Sequence, residues 1–246
     1  MKVAVIIPAA GLGTRMSRTQ AERPASSRKQ FLLLEGVPIL IHTLRKFDAC
    51  REVNEIVVAV RADDLESVAR SVAEQSFSKP VRCVQGGDTR QESVWHGLQA
   101  LAPDTELVAV HDAVRPFIDG ETITKVIAEA AETGAAIVGV VPVDTVKQVH
   151  RNKIRATIPR DRLVLAQTPQ VFRFELLKEA FERAAADSFT GTDEASLVER
   201  LETVEVSVVA GSDRNIKITK PTDLELAQLF LTQERSAAER VAEPAP

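Results

Sequence analysis

Residues 3–16 read Val3-Ala4-Val5-Ile6-Ile7-Pro8-Ala9-Ala10-Gly11-Leu12-Gly13-Thr14-Arg15-Met16, and this stretch decides the fold. Val3–Ile7 is a short apolar run rich in β-branched side chains, the pattern of a strand buried on both faces. A turn of small residues follows at once, and free N–H groups in such a turn make a nest for an anion. Outward from it, similar strands recur at Glu55–Val60, Val81–Gln85, Leu107–His111 and Ala135–Val141. Helical patterns at Pro38–Phe47, Asp63–Gln75, Arg90–Leu101 and Glu121–Glu132 lie between them. The alternation predicts an α/β chain, a mostly parallel sheet with helices on both faces. Such sheets bind ligands at the carboxyl ends of their strands, which singles out the loops after Ile7, Gln85, His111 and Val141.

Local signals place the helix starts. Thr89 with Glu92, and Thr222 with Glu225, have capping-box spacing, and Pro38 suits a first helical position. After Val143 the alternation stops. Thr145–Val149 and Ile154–Ile158 flank the polar turn Arg151-Asn152-Lys153, which predicts a hairpin with no helix behind it. This arm, roughly residues 144–166, is expected to project and to meet a second copy of the chain. Beyond it the pattern predicts a strand at Leu163–Ala166, a helix at Glu175–Ala185 and a short helix opened by Thr192-Asp193-Glu194. Thr203–Val209 and Ile216–Ile218 read as strands and Thr222 to Arg235 as a final helix, with a tail after Arg240 expected to fray. Residues 1–246 are read as one domain.

The 246 residues carry 31 Lys and Arg against 35 Asp and Glu, a formal net charge of −4. A weakly acidic body lacks the broad basic surface that nonspecific nucleic-acid binding needs, so an anionic ligand requires a local cluster of cations. Cys50 and Cys83 form no CxxC, and His42, His96, His111 and His150 form no HExxH or similar ligand pair. No apolar run approaches membrane-spanning length, and no cleavage-type site follows the first one; the expectation is a cytoplasmic protein with no membrane partner.

The chemistry concentrates in five places. In the first loop Arg15 adds a permanent cation whose fork suits phosphate oxygens. A dinucleotide fingerprint would place glycine at position 16 and an acid at the end of the second strand, but Met16 and Arg61 stand there. A P-loop would need GKS or GKT, which is absent. Lys29 closes the same polar loop, so it and Arg15 can converge on one triphosphate; a solvated lysine is the plainer alternative. Gly86-Gly87-Asp88-Thr89-Arg90 with Ser93 opens a helix after the third strand, either as an anion or base-edge site or as an ordinary capped turn. Asp112, in His111-Asp112-Ala113-Val114-Arg115-Pro116, is a candidate magnesium ligand or a structural partner of Arg115. No serine or cysteine stands in a nucleophile elbow beside His111 and Asp112. Arg160 after the hairpin and Lys217 in Asn215-Ile216-Lys217-Ile218-Thr219 are late cations, facing either an anion or solvent.

Eight motifs occur in order: Pro8–Met16, Lys29-Gln30, Gly86-Gly87-Asp88-x-Arg90-x-x-Ser93-Val94, His111–Pro116, Val141-Pro142-Val143-Asp144-Thr145-x-Lys147, Gln167-Thr168-Pro169-Gln170, Thr192–Ser196 and Asn215–Thr219. Together they resemble the 2-C-methyl-D-erythritol 4-phosphate cytidylyltransferase family over Val3 to about Leu229. The resemblance implies a Rossmann-like nucleotidyltransferase fold, magnesium, and a homodimer whose hairpin arms hook together. It implies an enzyme of the non-mevalonate isoprenoid pathway that joins CTP to an alditol phosphate and releases pyrophosphate. By position, Ala9, Ala10, Gly11, Gly13, Gly87, Asp88 and Ser93 would hold the nucleotide. Arg15, Lys29 and Lys217 would surround the reacting phosphates. Asp112 would serve the metal or the acceptor's hydroxyls, and Arg115, Thr145, Arg160, Thr168 and Thr192 would bind the acceptor, some of them across the dimer interface. One departure is a longer stretch between Arg15 and Lys29, with Arg28 where the family commonly has proline.

The mechanism such residues imply is electrostatic. The acceptor phosphate, with a second pKa of about 6, is itself a competent nucleophile and needs no general base. Rival readings are a cytidylyltransferase for another alditol phosphate such as ribitol 5-phosphate, a nucleotide-binding protein without turnover, and a hydride-transferring oxidoreductase, which the missing fingerprint disfavours.

Overall fold

A computed structural model gives the fold and describes residues 1–11 and 28–242. Its centre is a seven-stranded sheet. In chain order the strands are β1 (Val3–Pro8), β4 (Val53–Val60), β5 (Val81–Gln85), β6 (Leu107–Val110), β7 (Ala135–Val140), β10 (Leu165–Arg173) and β11 (Ser207–Ala210). Their spatial order is β11-β7-β10-β6-β1-β4-β5. Every neighbouring pair is parallel except those made by β10, which runs antiparallel to both β6 and β7. β2 (Leu33–Leu34) and β3 (Val37–Pro38) form a small hairpin that the sequence reading did not anticipate.

Alternation within each strand builds two cores. Val3, Val5 and Ile7 of β1 face one layer with Ile56, Val58 and Val60 of β4, covered by α1 (Ile39–Asp48), α2 (Leu65–Ala73) and α4 (Gly120–Thr133). Ala4 and Ile6 face the other with Val57 and Val108, covered by α3 (Arg90–Gln99), α5 (Phe174–Ala186) and α6 (Glu194–Val198). Such strands bury both faces, so they read as unbroken apolar runs. The second layer is tight: a Cβ added to Gly97 of α3 would lie 2.6 Å from Ile6 Cγ2. A third cluster, Leu34, Ile39, Phe117, Ile218 and Ala227, seats the last helix, α7 (Pro221–Ala242), across the loop that carries Lys217.

The caps explain where helices begin. Thr89 Oγ1 accepts from the Glu92 N–H at 3.1 Å, and Glu92 Oε2 accepts from the Thr89 N–H at 3.0 Å, completing the expected box. The second expected box does not form. α7 starts at Pro221, one residue before Thr222, because Asp223 Oδ2 accepts from the N–H groups of Thr219 and Lys220 at 2.7 and 2.8 Å. Pro38 stands just outside α1, whose first residue is Ile39.

Three other expectations are corrected. Ile216–Ile218 is not a strand: Ile218 is buried against α7 and donates to Val114 O at 2.9 Å, as part of a loop packed over the sheet's end. The strand expected at Leu163–Ala166 runs on as β10 to Arg173, through a register shift between Ala166 and Gln170 that accommodates Pro169. α7 continues past Arg235 and through the predicted frayed start, to Ala242.

The arm is present. β8 (Val146–His150) and β9 (Lys153–Ile158) pair antiparallel as a separate sheet. The turn residues Arg151 and Asn152 have φ of 47° and 61°, the left-handed pair that lets a two-residue loop follow the strand twist. Val143, Val149, Ile154 and Leu165 are exposed along the arm and its base. Among the described residues no helix is long and apolar enough to cross a membrane.

Candidate active site

A cleft of about 360 Å³ opens where β1, β5 and β6 end. Pro8, Ala9, Ala10 and Gly11 form one wall, Asp88, Arg90 and Ser93 a second, and Asp112, Ala113 and Val114 the floor; Lys29, Gln30, Lys217 and Thr219 close it. The strand order reverses at β1, which has β4 on one side and β6 on the other, and this switch point opens the crevice.

In the first wall Ala9 and Ala10 are buried, and the Ala9 N–H donates to Ala59 O at 2.7 Å, which holds the backbone against β4. Gly86 is needed beside this wall, since a Cβ there would lie 2.8 Å from Ala10 Cβ. The Gly87 N–H donates to Ser93 Oγ at 3.2 Å, and Ser93 Oγ–H donates to Thr89 O at 2.8 Å. Gly13 and Arg15 lie outside the described residues.

Lys29 stands on a single 3₁₀ turn, Lys29–Phe31. On one side Gln30 donates to Ala9 O at 2.6 Å, tying the turn to the first wall. On the other, Arg28 pairs with the buried carboxylate of Asp64. Lys29 Nζ donates to Thr219 O at 3.0 Å, in the Lys217 loop. Lysines 188 positions apart (217 − 29 = 188) thus meet at one cleft.

Asp112 is the electrostatic hub. Its Oδ1 lies 3.3 Å from Arg90 Nε, and its Oδ2 lies 3.2 Å from Arg115 Nε and 2.9 Å from Lys217 Nζ. Its own N–H donates to Thr168 Oγ1 at 3.1 Å. Burial by itself would raise the carboxyl, but the three cations outweigh it and hold Asp112 well below the usual carboxylate range. Arg115 also donates to Asn215 O at 2.6 Å, and Asn215 donates to Thr168 O at 2.9 Å, so the Lys217 loop is fastened to β10.

His111 supplies no base. It is fully buried, 4.8 Å from the Phe47 ring, and burial pulls its pKa down to about 4.

Of the residues singled out in the sequence, Ala9, Ala10, Gly11, Lys29, Asp88, Ser93, Asp112 and Lys217 line the cleft. Gly87, Arg115 and Thr168 support it from behind. Thr145 and Arg160 are exposed in the arm, where Arg160 donates to Val143 O, and Thr192 is exposed before α6. None of these three lines the cleft of its own chain. Gln30 and Thr219 line the cleft although sequence reasoning gave them no role, and so does Arg90, read before only as part of the Gly86–Arg90 stretch. Arg90 had a signal: it stands two positions after Asp88 at a helix's first turn.

Asp88 and Asp112 are the carboxylates lining the cleft, and the described residues contain no group of three acidic, His or Cys side chains able to cage a metal. A magnesium ion that keeps most of its ligands as water and phosphate oxygens needs only one or two carboxylates. The residues fit an ion of that kind and not an all-protein cage.

A model of the family IspD, 2-C-methyl-D-erythritol 4-phosphate cytidylyltransferase, matches residues 3–233. A relative of that name from Solibacter usitatus is 64% identical over 95% of this chain and 97% of its own length. Another from Acidobacterium capsulatum is 53% identical over 96% of this chain and 100% of its own. The crystal structure of 4-diphosphocytidyl-2C-methyl-D-erythritol synthase from Anaerococcus prevotii superposes with a TM-score of 0.80 at 33% identity, covering 94% of this chain and 98% of that one.

Proposed function

The chain belongs to the 2-C-methyl-D-erythritol 4-phosphate cytidylyltransferase family, and from that premise we infer how its cleft works. It is a nucleotidyltransferase that moves the cytidylyl group of CTP onto 2-C-methyl-D-erythritol 4-phosphate. The products are 4-diphosphocytidyl-2-C-methyl-D-erythritol and pyrophosphate. The observation that carries the site assignment is the meeting of Lys29 and Lys217 in one cleft with the small-residue turn of Ala9–Gly11.

An oxygen of the acceptor phosphate attacks the α-phosphorus of CTP in line. A new P–O bond forms, the bond to the β-phosphate bridging oxygen breaks, and that oxygen leaves with the electron pair as pyrophosphate. No proton need be removed from the nucleophile, which agrees with a cleft that no histidine lines among the described residues. Two polyanions must be brought together, so positioning and fixed cations supply the catalysis. Ala9, Ala10, Gly11, Gly13, Gly87, Asp88 and Ser93 hold the nucleotide; Arg15, Lys29 and Lys217 neutralise the phosphates. Asp112 and Arg115 orient the acceptor. Magnesium belongs with the triphosphate, where Asp112 would hold it and the ion would stabilise charge on departing pyrophosphate.

The active form is a homodimer joined through the hairpin arms, with residues 1–246 of each chain as one domain. Exposed Val143, at 77%, and Ile154, at 65%, support this, because an arm so apolar needs a cover. Thr145 and Arg160 lie away from their own chain's cleft, as residues serving a partner's cleft must.

The test is to incubate the chain with magnesium, each of the four nucleoside triphosphates, and either 2-C-methyl-D-erythritol 4-phosphate or ribitol 5-phosphate, then identify products by mass and measure pyrophosphate. A product with CTP and the first acceptor is expected. Turnover only with ribitol 5-phosphate, or none at all, overturns the reading.

A further inference from the structure

The Glu194 carboxylate is buried to 1% exposure, and both of its oxygens face one nitrogen, Arg90 Nη1, at 2.7 and 2.9 Å. The other edge of the same guanidinium points the opposite way, with Nε 3.3 Å from Asp112 Oδ1. One arginine thus spans two carboxylates that belong to different segments. Arg90 is the first residue of α3, directly after the Thr89 cap, and Glu194 is the first residue of α6, directly after the Asp193 cap. The start of α6 is itself bound to the sheet. Gln170 of β10 donates to Asp193 Oδ2 at 2.8 Å and accepts from the Ala195 N–H at 3.0 Å. Neither end of the bridge can drift independently.

A buried ion pair contributes little net stability over an apolar pair of the same shape. Its effect here is directional. Arg90, Arg115 and Lys217 all crowd Asp112, and an arginine fork released from Glu194 would collapse onto Asp112. Burial lifts the Glu194 carboxyl above its ordinary range, although Arg90 pulls it back, and burial opposed by Glu194 and Asp112 leaves the Arg90 charge strongly held.

We propose that Glu194 is a positioning residue for the transfer, acting through Arg90 to aim Asp112 at the acceptor and to lock the Thr192 loop to the nucleotide wall. The proposal rests on the functional reading above. It predicts an asymmetry. The nucleotide contacts at Ala9–Gly11 and Ser93 do not pass through Glu194, so CTP binding is spared, whereas acceptor use is not.

The experiment compares the full chain with Glu194→Gln, which keeps the shape and a hydrogen bond but no charge. A second variant, Arg90→Lys, keeps the charge but has no fork to reach both carboxylates. Arg90→Lys leaves Glu194 paired, so it reports even if Glu194→Gln does not fold. CTP affinity is measured by calorimetry without acceptor or magnesium, so that Asp112 takes no part in it, and steady-state kinetics are measured against 2-C-methyl-D-erythritol 4-phosphate. Expected is a loss of about 10- to 100-fold in kcat/KM for the acceptor, the scale for a displaced reacting group, with the CTP Kd changed by no more than about twofold. Normal acceptor kinetics in a folded variant overturns the proposal. So does an equal loss for CTP and acceptor, or a fall in melting temperature alone, since a merely structural pair would act that way. No product from the unaltered chain overturns the functional reading first, and this inference with it.

Discussion

Replacing His111 with Gln should flatten the acid side of the stability profile. His111 directly follows β6 and has no exposed surface, its Nε2 is 3.0 Å from Arg115 O, and its Nδ1 has no hydrogen-bond partner. A second proton would place a charge among apolar neighbours, including Phe47 at 4.8 Å. Burial is the main cause that lowers its pKa from 6.5 to about 4; the Arg115 carbonyl and the Asp112 charge resist the shift. The folded value lies below the unfolded one, so between these limits the unfolded chain binds more protons. The stabilisation is complete above pH 6.5 and is lost as pH falls toward about 4. Two and a half pKa units correspond to about 3 kcal/mol in full, of which about 2 kcal/mol is gone by pH 5. Urea unfolding at pH 5, 6 and 7, followed by fluorescence of Trp95, the one tryptophan, measures this directly. Carboxylates titrate alike in both chains and cancel in the comparison. His111→Gln should lose about 2 kcal/mol less than the parent between pH 7 and pH 5. Parallel profiles for the two chains would refute the account of a neutral, trapped imidazole.

Lys29→Ala and Lys217→Ala should each lose about 10²- to 10³-fold in turnover with circular dichroism unchanged, the scale for removing one preorganised donor; near-normal rates in both would sink the assignment of the phosphate site. Thr89→Ala removes the cap on α3 and should lower stability by about 1 kcal/mol in thermal or urea unfolding. An unchanged midpoint would mean that the box carries no load. Mixed dimers of Arg160→Ala and Lys29→Ala chains should regain activity that neither variant has alone, because half of the mixed sites combine an intact arm with an intact cleft. No recovery on mixing counts against a site shared between subunits.

The parallel core was legible because its central strands are buried on both sides and must be apolar throughout, so Val3–Ile7 and Leu107–Val110 announce themselves without neighbours. The α3 box was legible because capping is a local exchange between residues three apart. β10 was not. It carries Pro169 and a register shift, and its antiparallel pairing with β6 and β7 is made by residues 25 (165 − 140) to 66 (173 − 107) positions away. Ile216–Ile218 misled for the converse reason: an alternating Ile-Lys-Ile also suits a loop pressed under a helix, and α7 supplies the helix.

The candidate site divides in the same way. The sequence by itself determined which residues are candidates for the chemistry, because a glycine turn after a strand, a Lys-Gln pair and an acid after an apolar strand with an arginine three positions on are local patterns with local physical reasons. Only the tertiary structure decided that Lys217 shares a carboxylate with Arg90 and Arg115, and that Arg90 answers to Glu194, 104 positions away. Charge pairing depends on distance in space, and no periodicity along a chain records which loops the sheet brings to one end.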